Sequence, residues 1–166
     1  MANSYTQLYI QLVFAVKRRQ TLIHRDWEDH LYRYITGIVQ DNKHKLIRIN
    51  GMPDHIHIFI IYKPSQPLPQ LVENIKTSSG KFIREMGYVK HGFNWQNGYG
   101  AFSYSKSHIE KVIQYIDNQK EHHKKKNFQQ EYLQFLKMHE IEYDPKYLFE
   151  FNDEGTSTIP PDNLPE

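Results

Sequence analysis

The chain has 166 residues, of which 39% are hydrophobic and 24% charged, with a formal net charge of +2; this length suits one domain with one real core. It contains no apolar run of the about 18 residues that a membrane span needs, and its start, MANSYTQLYIQLVF, lacks the basic stretch and small-residue cleavage site of a secretory signal, which predicts a cytoplasmic protein. With no cysteine there is no disulfide framework, no thiolate nucleophile and no cysteine-based zinc site, so any metal must be held by imidazole, carboxylate or amide oxygen.

Residues 6–16, TQLYIQLVFAV, alternate, with Leu8, Ile10, Leu12, Phe14 and Val16 on one face and Gln7, Tyr9 and Gln11 on the other, which predicts a strand with one apolar face. From 26 to about 41, Trp27, Leu31, Tyr34, Ile35 and Ile38 recur at helical spacing behind Asp26 as N-cap. A strand at about 45–51, the turn Gly51-Met52-Pro53-Asp54 and a second strand to Tyr62 should pair as a hairpin. After PSQPLP, the residues Leu68, Leu71, Val72, Ile75, Phe82, Ile83 and Met86 predict an amphipathic helix that ends at Gly87. Its polar side carries Lys76, Thr77, Ser78, Lys81 and Arg84.

Residues 93–105, FNWQNGYGAFSYS, read as a short irregular strand with a turn. Ser107, with Glu110 as capping-box partner, opens a third helix whose apolar stripe is Ile109, Val112, Ile113 and Ile116 and which QKEHHKKKN closes. A last helix from about Phe128 carries Tyr132, Phe135 and Leu136. The order β-α-β-β-α-β-α predicts an α+β fold, a ferredoxin-like or RRM-like antiparallel sheet with helices on one face and the other face open. The domain should occupy residues 1–150, and 151–166 form an acidic, weakly ordered tail.

The modest net charge conceals a division. Residues 1–139 hold 20 Lys+Arg and 11 Asp+Glu, a net +9, while residues 140–166 hold one Lys and eight acids, a net −7. Basic clusters at Lys17-Arg18-Arg19, at Lys76, Lys81 and Arg84, and at Lys124-Lys125-Lys126 suit a polyanionic partner, although charge alone fits an ordinary solvated surface equally well. Aromatic residues around Trp95, Tyr99 and Phe102 would stack bases beside those cations; Trp95 and Phe102 also suit a core.

The stretch PDHIHIFII places His55 and His57 on one strand face with Phe59 and Ile61, and Ile56, Ile58 and Ile60 on the other. Two imidazoles so placed can ligate one metal ion, or be ordinary half-buried strand residues. On the third helix Tyr115 and Gln119, at i and i+4, project together beside the apolar stripe, with His108 and His122 one turn further out. Spacing does not single out Tyr115 among the 12 tyrosines.

The segments GMPDHIHIF, FNWQNGYGAFSYS and VIQYIDNQKEHHKKKNFQQEY together resemble the single-tyrosine HUH transposases of small bacterial insertion sequences (IS200-like), and the similarity runs from about residue 11 to YLFE at residue 150. The resemblance implies the HUH endonuclease fold, with His55, His57 and Gln119 as ligands of a divalent metal, Mg2+ or Mn2+, and Tyr115, 58 residues beyond His57, as nucleophile. It implies cleavage of single-stranded DNA to a 5′-phosphotyrosine, recognition of hairpins at element ends, and a homodimer in which the Tyr115 helix of one subunit completes the histidine site of the other. Candidate DNA contacts are Arg18, Arg19, Lys76, Lys81, Arg84, Trp95 and Tyr99. Gln11 stands where many relatives carry histidine. No GxxxxGK[ST] loop is present, so no nucleotide cofactor is expected. Two alternatives remain at this point: a domesticated relative that processes repeated chromosomal hairpins, and a non-catalytic single-strand nucleic-acid-binding module.

Overall fold

The alternating residues of the first segment form β1 (Leu8–Ala15) in the computed structural model, which describes residues 3–148. The other strands are β2 (Lys45–Met52), β3 (His55–Tyr62) and β4 (Gly100–Tyr104). They make one sheet in the order β2-β3-β1-β4, and every neighbouring pair is antiparallel. The helices are α1 (Glu28–Asp41), α2 (Leu68–Met86), α3 (Ile109–Asp117), α4 (Gln119–His122), α5 (Phe128–Met138) and α6 (Pro145–Leu148). Residues 151–166, expected as a tail, lie outside the described residues.

The main core forms as the strand alternation dictates. Leu12, Phe14, Val16, Ile56, Ile58 and Ile60 pack against Leu31, Ile35 and Val39 of α1 and Leu71, Val72, Ile75 and Ile83 of α2. Burying each large aliphatic side chain contributes about 1.5–3 kcal/mol, and this layer holds most of them. Gly87, at φ 69°, closes α2 in the left-handed conformation expected of a C-terminal glycine.

The antiparallel sheet with α1 and α2 on one face matches the sequence reading, but its second face is not open. Val13, Ala15 and Phe102 are covered by Phe128, Phe135 and Leu136 of α5, and Tyr9 and Phe59 by Val112 and Ile116 of α3. The physical reason is symmetrical: the second face carries enough apolar surface, and the stripes of α3 and α5 need a partner. As a result His55 and His57 are fully buried.

Three local expectations also change. Helix α1 begins at Glu28, and Asp26 lies beside His24 (3.3 Å) and does not cap the helix. Ser107 falls in a 3-10 turn, Lys106–His108, where it bonds Ser105 and His108; the capping box belongs to α5, through Asn127 and Gln130. The third helix breaks at Asn118, between α3 and α4. There the side-chain amide of Asn50 on β2 donates to the carbonyls of Ile116 (2.8 Å) and Asp117 (3.4 Å), satisfying acceptors that the broken helix leaves. At the hairpin, a Cβ on Gly51 would run into the carbonyl oxygen of His55, so glycine lets β2 pass closely behind the first histidine.

Candidate metal centre and nucleophile

Strand β3 aims both histidines at one carboxylate, that of Glu131 on α5. His57 Nε2 lies 2.9 Å and His55 Nε2 3.2 Å from Glu131 Oε1. On the other oxygen, Oε2, converge the Tyr115 hydroxyl, which donates to it, Gln119 Nε2 at 3.2 Å and His123 Nε2 at 3.2 Å. Gln119 Oε1 sits 3.3 Å from His55 Nε2. Tyr115 and Gln119 thus meet the histidines from α3 and α4 despite the break between these helices. The far nitrogens are also held: His55 Nδ1 lies 2.7 Å from Asp54 Oδ1, and His57 Nδ1 2.9 Å from Gln11 Nε2. The Phe128 ring stacks on His55 with centroids 4.2 Å apart, excluding water from that side.

Charge in this buried space is strongly redistributed. Burial opposes protonation of His55, but the carboxylates of Asp54 and Glu131 outweigh it and push its pKa up to about 9. Burial prevails at His57, which is held below the usual histidine range. For Glu131 burial acts upward, yet the surrounding imidazoles of His57, His123 and His55 drive it far below the carboxylate range. Tyr115 is pushed well above an ordinary phenol, first by burial and then by the Glu131 charge. In the absence of substrate the phenol therefore keeps its proton.

The donor set fits a divalent cation. One ligand atom each from His55, His57 and Glu131 lies within 4.8 Å of the others, and the Gln119 amide oxygen adjoins them. Two imidazole nitrogens with amide and carboxylate oxygens make a mixed N/O donor set for such an ion. The Asp54–His55 pair is the carboxylate–histidine arrangement that fixes the orientation of an imidazole ring.

Glu131 and His123 are absent from the sequence-based site. A signal existed for Glu131: it lies three residues after Phe128 and four before Phe135, inside the apolar stripe of its helix, and a charge there must find partners.

Most of the expected DNA contacts lie elsewhere. Lys76, Arg84, Trp95 and Tyr99 line a groove of about 470 Å3 between α2 and residues 94–99. There Lys76 Nζ donates to the carbonyls of Gln96 (2.7 Å) and Gly98 (2.5 Å), and burial lowers its pKa to about 8. Arg84 donates to the Phe93 carbonyl at 2.8 Å. Trp95 is buried edge-on to Phe14 and Phe93, and its indole N–H donates to Ser79 Oγ at 2.9 Å. Lys81 is exposed beside Glu85, and Arg18 is exposed in the turn after β1. Burial acts to raise the pKa of Asp54, but the hydrogen bond and charge of His55 outweigh it, and the neighbouring Arg19 is the weakest of the groups that lower it. A second cleft, of about 320 Å3, reaches Tyr115 between Tyr104, His108, Lys111, Val112 and Met138.

A four-stranded antiparallel sheet that carries a buried His-x-His pair against a helix-borne tyrosine and glutamine defines an HUH-type fold. Residues 4–119 match the family described as "Transposase IS200 like", and the chain belongs to that family: it is a transposase of the IS200/Y1 type. It is similar to the ISDra2 transposase TnpA of Deinococcus radiodurans, with 26% identity over 118 residues, 68% of this chain and 84% of that protein. A crystal structure of a protein from D. radiodurans R1 assigned as a transposase has a TM-score of 0.59 at 23% identity, covering 72% of this chain and 95% of that one. The structure of a REP-associated tyrosine transposase bound to a REP hairpin has a TM-score of 0.54 at 14% identity, covering 74% and 73%. His123 and Glu131 lie beyond the segment that matches the family.

Proposed function

We propose that the chain cleaves and rejoins single-stranded DNA at hairpin-bearing element ends in the cytoplasm, with Tyr115 as nucleophile. The observation that supports this most directly is the Tyr115 hydroxyl, set on Glu131 among His55, His57 and Gln119. Tyr115 Oη forms a bond to phosphorus as the bond to the 3′-oxygen breaks, leaving a 5′-phosphotyrosine and a free 3′-hydroxyl. The phenol proton has its acceptor in place at Glu131 Oε2, which passes it on, through solvent, to the departing 3′-oxygen. Attack by another 3′-hydroxyl reverses the chemistry and needs no nucleotide.

His55, His57, Gln119 and Glu131 would hold Mn2+ or Mg2+. When bound, the cation supplies Lewis-acid stabilisation of charge on the phosphate oxygens and of the phenolate. The chain's own residues do the rest. Asp54 and Gln11 hold the two imidazoles, Phe128 and Phe135 exclude water, and the cleft beside His108 and Lys111 gives the strand a way to the phenol. The groove with Lys76, Arg84 and Tyr99 provides a basic surface for flanking phosphates. Incubation with a single-stranded oligonucleotide carrying the element end should yield a covalent adduct that is stable to denaturation; no adduct with Mn2+ or Mg2+ present would reject the assignment.

The resemblance implies a homodimer with shared sites, and complementation tests it. A mixture of His57→Ala with Tyr115→Phe is expected to regain adduct formation at one of two composite sites, one subunit giving the histidines and the other the tyrosine. No recovery after subunit exchange is verified would instead establish sites built within one chain, where Tyr115, Gln119 and Glu131 also reach His55 and His57.

A further inference from the structure

The two histidines are held from behind by different chemistry. Asp54 behind His55 is a carboxylate, which only accepts, so it keeps a proton on His55 Nδ1 and leaves Nε2 to face the site. Gln11 behind His57 is an amide, which can accept or donate. It is 1% exposed, on β1 opposite Phe59, and must satisfy both ends of its amide locally.

In the arrangement observed, Tyr104 donates its hydroxyl hydrogen to Gln11 Oε1 at 2.8 Å, and Gln11 Nε2 donates to His57 Nδ1 at 2.9 Å. Neutral His57 then carries its proton on Nε2 and donates it to Glu131 Oε1 at 2.9 Å. The chain Tyr104–Gln11–His57–Glu131 is complete, yet in it Nε2 has no lone pair for a cation. Metal ligation through Nε2 requires the other neutral tautomer, with the proton on Nδ1.

We propose that Gln11 is a positioning residue that reverses its amide when the metal site fills. Half a turn about Cγ–Cδ puts Oε1 against His57 Nδ1–H and the NH2 group against the Tyr104 oxygen. The same three groups stay satisfied, and the proton that leaves His57 Nε2 goes to solvent while one from solvent is taken up at Nδ1, so the charge of His57 does not change. The Tyr104 hydroxyl hydrogen is then directed into the cleft that Gln11 and Tyr104 line beside His108. A carboxylate in place of Gln11 would hold only the metal-competent tautomer, and a side chain with no polar group would hold neither.

This inference rests on the assignment of His57 as a metal ligand, and the experiment separates the two. Mn2+ affinity is measured by electron paramagnetic resonance for the full chain, for Gln11→Glu and for the near-isosteric Gln11→Met. The His57 ring 15N shifts are recorded without metal and with diamagnetic Mg2+, with His55 as internal control for the fold. The wild-type protein should change from the Nε2–H to the Nδ1–H form on Mg2+ binding, whereas Gln11→Glu should show Nδ1–H in both states and bind Mn2+ at least as tightly. Gln11→Met should bind about tenfold more weakly, the usual cost of losing a partner behind a ligating histidine. An unchanged wild-type tautomer, or wild-type affinity in Gln11→Met, overturns the role of Gln11 while leaving the metal site intact. Failure of the wild-type protein to bind Mn2+ overturns the metal assignment and the role of Gln11 with it.

Discussion

Tyr115→Phe is expected to abolish the covalent protein–DNA adduct, by roughly 10^4-fold or more, as loss of a covalent nucleophile does in other enzymes. The substitution removes one oxygen and keeps the ring, whose contacts with Phe135 and His122 are unaffected. Glu131 loses one donor and retains His55, His57, His123 and Gln119, so stability should change by no more than about 1 kcal/mol. Hairpin affinity, measured by gel shift, should stay near wild type. The competing nucleophiles are Tyr99, which lines the groove beside α2, and Tyr104, whose hydroxyl is committed to Gln11 and whose pKa burial pushes upward. An adduct that persists in Tyr115→Phe and maps by peptide sequencing to either of these would remove Tyr115 from the mechanism.

What the sequence revealed of this arrangement, and what it concealed, follows from the range of the interactions. Alternation over residues 8–16 and 55–62 is local, so it placed β1 and β3, the core face of the sheet, and His55 with His57 on the other face. Tyr115 and Gln119 entered only through the resemblance; as i and i+4 on one wheel they had no advantage over other tyrosines. The cover over the histidine face could not be read from β1 and β3 alone, because it depends on where α3 and α5 dock. Once docked, they convert an expected open surface into a buried one. Asn50, 66 residues from Ile116, takes part in the break at Asn118 through a contact that no local pattern reveals. Glu131 is the intermediate case: its place in an apolar stripe was visible, but its partners, 74 residues away at His57 and 16 at Tyr115, were not.

Glu131→Gln is expected to produce the largest combined effect of any substitution of the same shape. It keeps the volume and one carbonyl oxygen, and removes the charge that His55, His57 and His123 surround. Mn2+ affinity should fall at least about tenfold, and adduct formation should fall further, because the same change removes the group that accepts the Tyr115 hydrogen. Without metal, the variant should also lose stability near neutral pH. The His55 pKa is raised in the folded chain to about 9, so its stabilisation is complete below its unfolded value near 6.5 and is lost as pH rises through about 9. Glu131 is shifted downward, so its contribution is present above the unfolded carboxylate value and disappears only in acid. His57, held below the usual histidine range, makes the folded state less stable as pH falls below its unfolded value, so the metal-free wild-type protein should be most stable near pH 6.5 and should lose up to about 3 kcal/mol between pH 6.5 and 9. In Glu131→Gln the titration of His55 retains Asp54 as partner, while His57 and His123 face the site from β3 and from the end of α4 without a counter-charge. Breaking a buried pair from one side costs about 3–5 kcal/mol, which for a chain of this size lowers Tm by roughly 6–20 °C at pH 6. The decline toward alkaline pH should flatten at the same time. Melting curves of both proteins from pH 5 to 9 in chelator test this: parallel curves would mean that Glu131 carries no charge coupled to His55, and would remove it as the centre of the site.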